Sequence, residues 1–151
     1  MNLSPHFTFD ELTRTGQTAL QGVNRQEAQA CMGALTALAT TVLEPIRAKF
    51  GAVRINSAFR GPAVNTAVGG SKTSQHMSGQ AADIVVPGVA LEVVFAWIVK
   101  ESGIPYGQAI LEGPGGKVSW IHVSLGEPYR AREKSRQALT WDGKTYAPWK
   151  G

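Results

Sequence analysis

A chain of 151 residues is long enough for one compact domain and too short for two with cores of their own. Hydrophobic residues make up 43% and charged residues 17%, below the usual charged share of about 25%, so disorder driven by charge repulsion is excluded. The net charge of +4 favours polyanionic surroundings without naming them, and the single cysteine excludes both an internal disulfide and a zinc site built on paired thiolates.

Thr8-Phe9-Asp10-Glu11 has the spacing of a capping box and predicts a short helix. A second box, Asn24-Arg25-Gln26-Glu27, predicts the start of a longer one, along which Ala28, Cys31, Leu35, Leu38, Val42 and Ile46 recur at helical steps. Pro45 should kink that helix or end its first part, and Gly51 should stop it. Cys31 lies on the apolar stripe and reads as a small core residue. From Val53 to Ser57 the period changes to two, as in a half-buried strand. Pro62 opens a short helix that Gly69-Gly70 ends. After a polar loop, Ala81-Ala82-Asp83-Ile84-Val85-Val86 reads as a buried strand, and residues 90 to 102 as a second apolar helix. Two strands, Gly107 to Glu112 and Lys117 to Leu125, flank Gly113-Pro114-Gly115-Gly116 as an antiparallel hairpin, with a further hairpin at Asp142-Gly143. The predicted class is α+β, one domain over residues 1–151 with helices packed on a small antiparallel sheet.

Arg130, Arg132, Lys134 and Arg136 alternate as if along one strand edge, where they could hold phosphates. Glu133 interrupts them and no aromatic residue interleaves, so a solvated edge is the better reading and nucleic acid is not an expected partner. No apolar stretch approaches the roughly 20 residues of a membrane span. The opening Met1 to His6 lacks the basic and apolar segments of a secretory signal, so synthesis in the cytoplasm is expected.

Asp83 is a carboxylate between Ala81-Ala82 and Ile84-Val85-Val86, where burial without a cation would be costly. An arginine ion pair or an exposed strand face would serve. His76 stands seven residues earlier, with Ser78-Gly79 between them as a possible reversal. His122 shares one strand face with Trp120 and Ser124. Two histidines and one acid form a zinc set that leaves a position open for water.

These residues resemble the zinc peptidases of bacterial cell walls that include D-alanyl-D-alanine carboxypeptidases and phage L-alanyl-D-glutamate endolysins, which share a fold with the hedgehog signalling domain. The family motif Ser-x-His-x-x-Gly-x-Ala-x-Asp is matched by Ser74, His76, Gly79, Ala81 and Asp83, and Trp-x-His-x-Ser by Trp120, His122 and Ser124. Ser57-Ala58-Phe59-Arg60, followed by Asn65, is similar to the family's arginine motif, and the specific motifs span about residues 40–125. The resemblance implies one zinc ion on His76, Asp83 and His122. It further implies Arg60 as anchor for a substrate carboxylate or carbonyl, and Ser74 as a hydrogen-bonding residue of the site. It also implies a peptidoglycan stem peptide as substrate, and a monomer that acts on the wall after release or as part of a phage particle.

Many relatives carry an acid three residues before the second histidine as general base, and here that position is Ser119, whose hydroxyl cannot serve. Glu112 is the first candidate in its place, although regular pairing across Gly113 to Gly116 would set it opposite Lys117, away from His122. The competing reading is a zinc-stabilised wall-binding module without turnover, which Ser119 would suit.

Overall fold

A computed structural model describes all residues from Met1 to Gly151. Helix α1 (Phe9–Thr13) starts where the capping box predicts, with Thr8 Oγ1 accepting from Glu11 N–H at 3.1 Å. A 3₁₀ turn then leads into a nearly continuous helical run made of α2 (Gln21–Ala28), a 3₁₀ turn (Gln29–Cys31), α3 (Met32–Leu38), a π turn (Ala39–Leu43) and α4 (Glu44–Phe50). The predicted stripe is its buried face, with Ala28, Leu35, Leu38, Val42 and Ile46 fully buried and Cys31 partly so.

Two details differ from expectation. Pro45 does not end the run but sits in the first turn of α4, directly after a π turn that interrupts the α-helical pattern and accommodates the missing amide hydrogen and the bulk of the ring. Asn24 is not a cap, because α2 begins three residues earlier, at Gln21, and buries Asn24 completely. Its Nδ2 donates to Thr13 O at 2.8 Å and Phe59 O at 3.2 Å, while its Oδ1 accepts from Gly61 N at 2.8 Å. A cap-type residue is here a strap that holds the segment carrying Arg60 against α2. Asn24→Ala would leave Phe59 O and Gly61 N without a partner and Thr13 O with only Gln21 Nε2, so a loss of about 2–4 kcal/mol in unfolding free energy is expected. A urea midpoint equal to that of the wild type would show that the strap contributes nothing.

The sheet has six strands: β1 (Arg54–Ser57), β2 (Ala81–Val85), β3 (Tyr106–Glu112), β4 (Trp120–Leu125), β5 (Gln137–Trp141) and β6 (Tyr146–Pro148), in the order β1-β2-β4-β3-β5-β6. All neighbours are antiparallel except β3 and β5, which run parallel, so the class is α+β with a mostly antiparallel sheet larger than the sequence suggests. Helix α5 (Pro62–Ala67) follows β1, and α6 (Leu91–Lys100) turns Val94, Phe95 and Ile98 inward. They join Ile84, Ile121 and Val123 of the sheet and the buried stripe of the helical run in one core. At the N-terminus Glu44 accepts from Ser4 Oγ at 2.6 Å and meets His6 Nδ1 at 2.8 Å, which gives the third histidine a partner far along the chain from the other two.

The β3–β4 connection is not the four-residue turn expected from Gly113 to Gly116. Glu112 pairs with Trp120 instead of Lys117, because residues 113–119 leave the ladder and Gly113 N donates to Trp141 O at 2.8 Å. The basic residues do not line a strand edge either. Arg132 to Lys134 form a 3₁₀ turn before β5, Arg132 meets Glu127 at 3.3 Å, and Arg136 lies over the Tyr106 ring at 4.9 Å. No helix is long and apolar enough to cross a membrane.

Candidate metal centre

His76 lies on a 3₁₀ turn (Gln75–Ser78) whose first amides are capped by Ser74, with Oγ accepting from His76 N at 3.2 Å. Gly79 ends the turn at φ +70°, and a Cβ there would stand 3.0 Å from both Cys31 and Leu35 side chains. Glycine is required on both counts, and it sends the chain back into β2 so that His76 and Asp83 can meet. Cys31 packs beside this turn, its Sγ 3.8 Å from Met77 O, and burial pushes its thiol pKa up, in keeping with a core residue. In the β2–β4 ladder Asp83 is directly opposite His122, so both side chains rise from the same face.

The three groups converge. Asp83 Oδ1 is 3.4 Å from His76 Nε2 and 3.1 Å from His122 Nδ1, and all candidate ligand atoms lie within 4.8 Å of one another. Both histidines are buried. His76 Nδ1–H donates to Ala58 O at 2.7 Å, a carbonyl that can only accept, which leaves the Nε2 lone pair facing the carboxylate. With Gln75 Oε1 accepting from His122 Nε2 at 3.2 Å, the Nδ1 lone pair of His122 faces it too. In these tautomers three electron pairs aim at one point, which a metal ion satisfies; without one, a proton on an imidazole nitrogen bonds to Asp83 instead. Ligand atoms about 2.0–2.2 Å from a tetrahedral zinc would stand roughly 3.3–3.5 Å apart, close to the two separations from Asp83, so the donor set fits that ion. Burial alone would raise the Asp83 pKa, but in the metal-free centre hydrogen bonds from the protonated ring nitrogens of His122 and His76 outweigh it and hold the carboxyl well below the ordinary carboxylate range.

A cleft of about 650 Å³ opens over the centre, and Arg60, Ser74, His76, Asp83, Glu112 and His122 all line it. Arg60 is fixed by its backbone, N donating to His76 O at 3.0 Å, and by Nη2 donating to Ser74 Oγ at 3.4 Å. Its Nε is buried without a partner. Glu112 reaches the cleft through the register: Ile110 is opposite His122 and Glu112 opposite Trp120, so strand alternation puts Glu112 on the histidine's face. Burial pushes its carboxyl pKa above the ordinary glutamate range, and the Asp83 charge pushes the same way. Ser119, by contrast, is exposed in the connection, with its hydroxyl donating to Lys117 O at 2.9 Å.

Sequence reasoning missed Gln75, Gln108, Arg130, Trp141 and Tyr146, which also line the cleft. Only the Asp142-Gly143 hairpin signal pointed toward the last two, whose rings stack at 6.0 Å. No curated protein matches the chain. A family model described as Peptidase M15 matches residues 5–124, a span that contains every residue of the His76–Asp83–His122 centre as well as Arg60 and Glu112, and the chain belongs to that family of zinc peptidases.

Proposed function

We propose that the protein hydrolyses peptide bonds in peptidoglycan stem peptides, with one zinc ion held by His76, Asp83 and His122. The convergence of two buried imidazole nitrogens on a partly buried carboxylate is the observation that carries this reading. Bound there, zinc supplies Lewis acidity toward a carbonyl and acidifies water. The remaining work falls to the chain. Ala58 O fixes the His76 ring, and Gln75 orients His122. Glu112 is the general base: it takes a proton from the water that attacks the carbonyl carbon and returns it to the amine nitrogen as the C–N bond breaks. A carboxyl whose pKa is raised by burial is a better acceptor for that proton than an ordinary glutamate. Arg60, held by Ser74, donates to a carboxylate or carbonyl of the substrate.

A binding module without turnover drew its support from Ser119. That residue is exposed and does not line the cleft, whereas Glu112 does, so the reading loses the feature that favoured it. Catalysis at a cell wall, by a monomer acting after lysis or from a phage particle, is the setting we infer from the substrate. Digestion of purified peptidoglycan by zinc-loaded protein is expected to release new amino or carboxyl termini within the stem, identified by mass spectrometry. Their position distinguishes an endopeptidase from a carboxypeptidase. Unchanged peptidoglycan under those conditions would overturn the proposed function.

A further inference from the structure

Two guanidiniums line the cleft, and only Arg60 has been given a role. Arg130 follows β4, outside residues 5–124 that match the peptidase family. Its stem crosses Gly107 so closely that a Cβ on that glycine would be 2.8 Å from Arg130 Cδ. Nε donates to Lys134 O, and Nη2 donates at 3.1 Å to Gln137 Oε1, which also accepts from Gln108 Nε2 at 3.0 Å. Of the five N–H groups of the fork, three are left without a protein acceptor. The side chain is therefore held in place and still able to bind.

Neither Arg60 nor Arg130 forms an ion pair with a carboxylate of the protein; the acids that do pair are Glu44, Asp10, Glu127 and Asp83, each with other partners. A partly buried, unneutralised guanidinium facing a cleft is suited to an anion from outside, and to a carboxylate above all because the two planar groups match. The register locates it. Gln108, Ile110 and Glu112 share one face of β3, with Ile110 opposite His122 and Gln108 opposite Gln137. Arg130, bonded to Gln137, thus belongs about one two-residue step, roughly 7 Å, from the histidine row, on the side away from Glu112.

We infer that Arg130 is a second carboxylate anchor of the cleft, so that the preferred substrate is an acidic peptide bearing two carboxylates, one for Arg60 and one for Arg130. This rests on the peptidase reading above. The probe is the synthetic peptide L-Ala–γ-D-Glu–L-Lys–D-Ala–D-Ala, which carries a free glutamate α-carboxylate and a C-terminal carboxylate, together with two analogues in which one or the other is amidated. Binding is measured by titration calorimetry on zinc-loaded protein carrying Glu112→Gln, and turnover on zinc-loaded wild type.

Arg130→Gln is expected to weaken binding of the doubly charged peptide about tenfold, the scale of one charge-assisted contact at a partly exposed site. It should have no further effect on just one of the two amidated peptides, the one whose amide stands where Arg130 would bind. Arg130→Lys should recover part of the loss. An equal loss on all three peptides would mark a merely structural role, and it would overturn the inference, as would no loss or no measurable binding of the doubly charged peptide. Failure of the peptidase reading looks different: the amidation pattern is present and wild type cleaves nothing.

Discussion

Asp83→Ala is expected to take the zinc content of dialysed protein from about one equivalent to less than about a tenth of that, while His6→Ala leaves it unchanged. Asp83 is the only anionic group among the three candidate ligands, and it faces both imidazole lone pairs. Without it two neutral imidazoles remain, and half the chemistry of a nitrogen and oxygen zinc site is gone. Metal that binds only the folded state stabilises it by about 2.7 kcal/mol at a hundredfold excess over Kd, which for a chain of this size is a rise of roughly 5–11 °C in Tm. That rise should be present in wild type and absent in Asp83→Ala and His76→Ala. Comparing each variant with and without zinc separates metal binding from any change in the stability of the zinc-free protein. His6 is the control because it is the remaining histidine and is engaged with Glu44 at the N-terminus. If Asp83→Ala took up zinc as wild type does, the ligand assignment would be wrong.

The groups of this centre could be recognised before their geometry was known because each conflicts with its local sequence. A carboxylate inside Ala-Ala-Asp-Ile-Val is out of place in a buried strand, and a glycine three residues after His76 supplies the only reversal that brings the two together. Strand alternation correctly put His122 on one face with Trp120 and Ser124, but it cannot say which face is covered. That depends on β2 lying beside β4, a long-range pairing. The same limit explains the other differences. Asn24 has the chemistry of a cap and is used as a buried strap because Thr13, Phe59 and Gly61 come to it from distant parts of the chain. The parallel pairing of β5 with β3 leaves no mark in either strand. Arg130 and Arg136 look like neighbours on a strand edge, yet one enters the cleft and the other lies on Tyr106, since a 3₁₀ turn replaces the expected strand. Period and punctuation report what a segment does alone; the partners it meets are reported by nothing local.

Glu112 shows the consequence for function, because its place depends on a three-residue shift in pairing. Opposite Lys117 it would be up the hairpin from the metal; opposite Trp120 it is one step from the His122 row and on the same face. Glu112→Gln replaces the carboxylate by an amide of nearly the same size that cannot take a proton. The expected result is a fall in kcat of about 10²–10⁴, the usual contribution of a positioned general base, with zinc content unchanged and KM little affected. Burial disfavours the charged carboxylate and Asp83 repels it, so a neutral amide at this position should not lower Tm. Ser119→Glu in the Glu112→Gln background tests the placement of position 119 directly. Were position 119 beside the metal, the new carboxylate would restore turnover. Its hydroxyl instead bonds Lys117 O in an exposed connection, so no rescue is expected. Full activity in zinc-loaded Glu112→Gln would remove Glu112 as the base, and rescue by Ser119→Glu would mean that position 119 reaches the metal in solution.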